Sequence, residues 1–176
     1  MPEGILDSSS GAMVAMSEDH HDIHDGWGYV LNGNTASIAA GSAEHISFRT
    51  PVASKAIIHF RAPSVASTAN SLSVTMTDGA IMSNCTAATP LNCNRLLKDA
   101  SSVIVTTAAT LTSAGAKILF LAAAGSGAPS NQVGGSIAGH NERVLKPDTM
   151  YSITFTNIGS TTATVAYYQL SWYEGA

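Results

Sequence analysis

The chain has little charge. Of its 176 residues only 11% are Asp, Glu, Lys or Arg, against about 25% in an average soluble domain. A densely charged skin keeps most lone domains dispersed, so its scarcity argues for a surface that works against other protein. Ala, Ser, Thr and Gly stand where Lys and Glu are usual. Lys and Arg are absent before Arg49. No basic stripe exists downstream to displace counterions from phosphate, which argues against nucleic acid as a partner. No apolar run approaches the ~20 residues that a membrane-spanning helix needs. The longest, Ile118-Leu119-Phe120-Leu121-Ala122-Ala123-Ala124, is expected to be a buried strand end. Two cysteines, Cys85 and Cys93, are too few for a disulfide framework and lack the second pair that zinc would need. Both are expected to be free thiols in a reducing compartment. Met1-Pro2-Glu3-Gly4-Ile5-Leu6-Asp7 carries neither a basic region nor an export-length apolar stretch, so the protein is expected to fold in the cytoplasm where it is made.

What is present points to one β domain. The length suits a single domain with a sizeable core, and 45% hydrophobic residues argue against wholesale disorder. Helical periodicity is nearly absent, while alternation with period two recurs. Ile46 and Phe48 alternate with polar neighbours until Pro51, and Ile58 and Phe60 share a face with Ala56, opposite Ile57, His59 and Arg61. Leu72, Val74 and Met76 alternate up to the Asp78-Gly79 turn, and Val103 and Val105 sit among Ser and Thr. Residues 117–121 are apolar on both faces, as expected of a strand buried between layers. Tyr151, Ile153 and Phe155 alternate before a turn at residues 157–160. A last strand, about residues 163–174, directs Val165 and Tyr167 one way and Tyr168, Leu170 and Trp172 the other, which predicts a central, covered strand. Trp172 is expected in the core and Tyr173 at its rim.

With residues 27–31 this makes about eight strands, and the expected fold is a single antiparallel β-sandwich of jelly-roll type. Residues 62–71, 83–91 and 125–139 are expected to be flexible connections. Residues 1–25 are expected to form an extended acidic N-terminal arm, with the sandwich over residues 26–176. The charge asymmetry supports that division: Glu3, Asp7, Glu18, Asp19, Asp22, Asp25 and Glu44 meet no Lys or Arg before Arg49.

Three segments have residue types that carry chemistry. Asp19-His20-His21-Asp22-Ile23-His24-Asp25-Gly26 could ligate a transition metal, but its spacing matches neither HExxH nor a cupin pattern. The favoured reading is a polar interface segment, pH-sensitive through its imidazoles. A serine triad with His140 and Asp148 lacks any Gly-x-Ser-x-Gly elbow, and Gly134-Gly135-Ser136 lacks the lysine of a phosphate loop. No catalytic residue, metal ligand or cofactor is assigned. In Pro90-Leu91-Asn92-Cys93-Asn94-Arg95 the two Asn residues are expected to hold a sharp loop by side-chain to backbone hydrogen bonds. Arg95 is then available to a carboxylate of the same or a neighbouring subunit. The candidate interface is therefore Asp19, His20, His21, Asp22, His24, Asp25, Asn92, Asn94 and Arg95. Near the C-terminus, Pro147 and Asp148 predict a turn, with Tyr151 anchoring the strand that follows.

Four pieces together resemble the decoration, or cement, proteins of tailed-bacteriophage capsids: the Asp/His stretch at 19–26, Asn92-Cys93-Asn94-Arg95, Glu142-Arg143-Val144-Leu145-Lys146-Pro147, and Tyr151-Ser152-Ile153-Thr154-Phe155-Thr156-Asn157 with the terminal Ser171-Trp172-Tyr173-Glu174. The resemblance implies a jelly-roll subunit without enzyme activity. It would be a homo-oligomer, dimer or trimer, that bridges major capsid protein subunits on the virion exterior after assembly in the host cytoplasm. The competing expectation is a carbohydrate-binding adhesin domain of a phage head or tail. In that case Trp27, Tyr29, Tyr167 or Tyr168 would stack on a host-surface glycan. A metal enzyme is the remaining class.

Overall fold

Alternating apolar side chains build a framework that is almost wholly β. The computed structural model describes residues 5–6, 13–14, 22–52, 57–68, 71–97, 99–123, 132–133 and 142–175. Among them helix is confined to residues 22–24. The strands of the first half are β1 (Ile5–Leu6), β2 (Met13–Val14), β3 (Gly28–Asn34), β4 (Ala43–Arg49), β5 (Ile57–Arg61), β6 (Ser64–Ser67), β7 (Leu72–Asp78), β8 (Ile81–Ser83) and β9 (Thr86–Ala88). They are followed by β10 (Leu91–Asn92), β11 (Ile104–Thr107), β12 (Thr110–Ser113), β13 (Ala116–Ala123), β14 (Gln132–Val133), β15 (Glu142–Leu145), β16 (Met150–Asn157) and β17 (Ala166–Gly175).

Two antiparallel sheets form the body. The first runs β10-β3-β17-β5-β15, with β6 also on β17 and β14 on β6. The second runs β13-β7-β16-β4-β11-β9. β17 is long enough to pair residues 166–169 with β6 and 172–175 with β5. The pairing is nested: β3 pairs with β17, β4 with β16, β5 and β6 with β15 and β14, and β7 with β13. The segment between β7 and β13 adds the antiparallel β8·β12 pair and, between those two in sequence, three further short strands. The insertion supplies four strands that the sequence does not predict, β8, β9, β10 and β12; the others are β1, β2, β6, β14 and β15. Outside the two sheets, β1 and β2 pair with each other.

One hydrophobic core joins the inner faces, as in a β-sandwich. Phe48 of β4 meets Phe60 of β5 and Trp172 of β17 edge to face, with ring centroids 5.1 and 5.0 Å apart. Phe155 of β16 stacks on Tyr168 of β17 at 5.4 Å. Such contacts add to the area each ring buries. The predicted inward residues Ile46, Phe48, Ile58, Phe60, Leu72, Val74, Met76, Val103, Val105, Ile153 and Phe155 are all buried. Tyr151 anchors its strand as expected, its hydroxyl accepting from the Lys146 N–H at 2.7 Å.

Four expectations need correction. Residues 117–121 belong to β13, the edge strand of its sheet: Leu119 is buried and Ile118 packs against the core, but Lys117 is exposed. Residues 62–71 and 83–91 are not simply loops, because β6 and β9 take ladder positions there and Val65 points into the core. Pairing, of β6 with β17 and of β9 with β11, outweighs the weak propensity of Ser and Ala. β17 is central, but its outer face is covered only toward its end: Tyr167 and Gln169 are exposed there, whereas Tyr173 is buried. Tyr173 is buried rather than a rim residue, because the Arg61 guanidinium lies over its ring at 4.7 Å.

Candidate functional site

The two predicted interface segments meet in space. Residues 22–26 close a tight turn in which Trp27 donates to the Asp22 carbonyl at 2.9 Å and Gly26 to that of Ile23 at 3.1 Å. Gly26 has φ +82°, a conformation that side chains disfavour. Beside it lies the loop that follows β10. Asn92 is buried; its side-chain amide donates to the Gly26 carbonyl at 2.7 Å, and its Oδ1 accepts from the Asn94 N–H at 2.8 Å. Asn94 repeats the device, donating to the His24 carbonyl at 2.8 Å and accepting from the Leu96 N–H at 3.1 Å. Cys93 donates its N–H to the Gly28 carbonyl at 2.8 Å. Each Asn thus turns its own loop and grips the other segment.

Glu174 braces this end from beneath. Its N–H donates to the Trp27 carbonyl at 2.9 Å. Its carboxylate accepts from Trp172 Nε1 and the Ser102 N–H, each at 2.9 Å, and from the hydroxyls of Ser101 and Ser102. An acceptor-only carboxylate meeting four donors is well satisfied, so this group reads as a brace and not as a catalytic acid.

Of the predicted interface, the structure brings together Asp22, His24, Asp25, Asn92, Asn94 and Arg95. Asp19, His20 and His21 lie outside the described residues. His24, Asp25 and Arg95 are exposed, and Arg95 has no ion-pair partner among the described residues. No three His, Cys, Asp or Glu side chains cluster as metal ligands among the described residues. Cys85 is an exposed free thiol and Cys93 a half-buried one. Burial pushes the Cys93 thiol up, against a smaller opposite effect of Arg61.

Sequence reasoning missed the apolar part of this surface. Trp27, Leu91, Leu96 and Leu97 are 40%, 48%, 92% and 37% exposed. All four belong to the two stitched segments, and Leu97 packs where a Gly26 side chain would stand. The legible signal was Leu96-Leu97, an apolar pair directly after Arg95 in a polar loop.

The four aromatic residues considered for sugar stacking divide. Tyr29 and Tyr168 are buried, whereas Trp27 and Tyr167 are exposed. The exposed two are not neighbours, since Trp27 precedes β3 and Tyr167 pairs with Asn34 at its far end, about 20 Å of strand away.

No protein-family model, curated protein or solved structure matches the chain.

Proposed function

We propose that the chain is a structural virion protein. It binds the outer surface of a tailed-phage capsid and stabilises the shell by bridging neighbouring major capsid protein subunits. The observation that carries this reading is the stitched surface. Trp27, Leu91, Leu96 and Leu97 are exposed on the two segments that Asn92 and Asn94 tie together, on a body with little charge. Clustered exposed apolar side chains with a polar rim mark protein interfaces, and here His24, Asp25 and Arg95 supply that rim. Arg95 is available to a carboxylate of the partner.

The nested strand pairing supports a jelly-roll topology. β3, β17, β5/β6 and β14/β15 make four positions of one sheet, and β4, β16, β7 and β13 four of the other. This is one long antiparallel hairpin wound into two layers, the pattern of jelly rolls used in capsid domains.

A subunit that binds only the assembled shell stabilises it by mass action, and several contacts around a symmetry axis add through effective concentration. A dimer or trimer would supply those contacts. The arm at residues 1–21 adds the acidic and His-rich part of the docking surface. Residues 22–25 act with the body, because Asp22 and His24 are hydrogen-bonded into the turns.

The test is co-sedimentation of the purified protein with empty, expanded shells of the major capsid protein of the same virion. The expected result is saturable binding at a fixed ratio to shell subunits, with a raised shell melting temperature. Paired Leu96→Ser and Leu97→Ser changes should abolish binding while the β-sheet circular dichroism is retained. Deleting residues 1–21 should weaken it. Absence of binding by the intact protein refutes the reading.

A further inference from the structure

The opposite end of the first sheet carries a different kind of surface. On its outer face a shallow groove of about 260 Å³ has Asn32, Ser64, Ala66, Tyr167 and Gln169 in its lining, together with the buried Val65 and Tyr168. The register explains why these residues meet. Asn32 pairs with Gln169 and Asn34 with Tyr167 across β3 and β17, while Gln169 pairs with Ser64 and Tyr167 with Ala66 across β17 and β6. Residues two apart on a strand share a face, so the two rows lie side by side: amide, amide and hydroxyl in one, aromatic ring and methyl in the other. Tyr167 is 52% exposed. Phe155 stacks on Tyr168 beneath this stretch of β17, which holds the groove on a rigid layer.

We propose that this groove binds an uncharged saccharide ring, stacked on Tyr167 and hydrogen-bonded through Asn32, Gln169 and Ser64. The lining chemistry selects the ligand class. None of the groove residues is charged, so phosphate, nucleic acid and acidic sugars find no counter-charge. An extended peptide needs an open strand edge, but the backbone of β17 is paired on both sides, by β3 and by β6. A hydrocarbon ligand would leave two side-chain amides unsatisfied against it.

A sugar meets each demand. Its vicinal hydroxyls both donate and accept, as the Asn32 and Gln169 amides do. Its apolar C–H face covers an aromatic ring whose hydroxyl stays wet. The volume lies just below the range of drug-sized sites, which suits one ring. A shallow site of that size implies a dissociation constant on the order of millimolar. The groove lies on the body away from the stitched turns, so this proposal does not depend on shell binding.

The experiment is saturation-transfer NMR on the full chain, with a panel of neutral saccharides: glucose, galactose, mannose, N-acetylglucosamine and their common disaccharides. At least one should receive transfer from the aromatic protons. Tyr167→Ala should abolish it without moving the melting temperature, since the ring is exposed, and Tyr167→Phe should keep it. Asn32→Ala and Gln169→Ala should each weaken binding about tenfold, the usual effect of one lost hydrogen bond to a ligand. Trp27→Ala should leave it unchanged. The proposal fails if no neutral saccharide binds at tens of millimolar. It fails equally if binding persists in Tyr167→Ala, or if only acidic sugars bind.

Discussion

Asn92 and Gly26, 66 positions apart in sequence, are joined by a 2.7 Å hydrogen bond from the Asn92 amide to the Gly26 carbonyl. The same Asn92 side chain caps the N–H of Asn94. Replacement by Ala leaves one buried acceptor and one donor without partners. Asn92→Ala should lower unfolding stability by about 1–3 kcal/mol, measured by urea denaturation. A change below about 0.5 kcal/mol would show that solvent replaces both bonds. Gly26→Ala should cost about 1–2 kcal/mol, mainly through its φ of +82°, because the Leu97 Cδ1 that a methyl would meet at 2.4 Å is the far end of a flexible side chain.

Gly115 and Gly41 separate steric from conformational requirements. A Cβ on Gly115 would stand 1.5 Å from the Asp78 carbonyl oxygen, which is backbone and has no flexible end to yield. Gly115→Ala should therefore cost about 3 kcal/mol and loosen the β7·β13 pairing. Gly41 has φ +74° with nothing within 4 Å of its missing side chain. Gly41→Ala should cost only the left-handed strain, about 1–2 kcal/mol. Equal losses at the two positions would refute the steric argument.

Acid should destabilise the protein through His45. Burial holds its imidazole below the usual histidine range, against a smaller opposing effect of Glu44. Its Nδ1 lies 3.0 Å from Thr154 Oγ1 on the neighbouring strand. Because the folded state binds the proton less readily than the unfolded chain, this contribution is complete above about pH 6.5, the unfolded value. It is lost as pH falls from there through the folded value. The melting temperature should drop as pH falls below about 6.5, and His45→Gln should flatten that part of the profile. An unchanged slope in the variant would assign the acid sensitivity elsewhere.

The two thiols should be kinetically distinct. Cys85 is exposed, whereas Cys93 is half-buried with its thiol pushed up by burial. The thiolate is the reactive species. An aromatic disulfide reagent at neutral pH should modify Cys85 in a fast phase and Cys93 only slowly, with the slow phase abolished in Cys93→Ser. Two equal fast phases would mean that the Asn92–Asn94 loop opens readily.

Much of the fold was legible because the core strands are sharply alternating. Ile58 and Phe60, or Ile153 and Phe155, declare a buried face by their spacing alone, and a one-residue slip would expose the whole set. The turns at Asp78-Gly79 and Pro147-Asp148 were equally plain, since each uses residues that accept the backbone conformation required. β6 and β9 were not legible. One β-branched residue apiece, Val65 and Thr86, among Ser and Ala makes no alternating pattern, and only the neighbouring strand makes them ladder members. The edge position of β13 was hidden for a related reason. An apolar run reports that a segment dislikes water, but not how many neighbours cover it.

The candidate site divides in the same way. Residue types alone marked the Asp/His stretch and the Asn-x-Asn loop, because short amide and carboxylate side chains compete for backbone groups wherever they occur. That Asn94 would grip His24, 70 positions away, depends on pairing between β3 and β10, which no local pattern encodes. The exposure of Trp27, Leu96 and Leu97 is likewise a tertiary outcome. A hydrophobic side chain shows the same preference in any sequence, and only the completed packing leaves it partly or wholly uncovered. By itself the sequence determined the class of the chain: β-rich, poor in charge and with one sizeable core. Tertiary structure decided which polar loops meet and which apolar residues remain for a partner, because both depend on contacts between segments far apart along the chain.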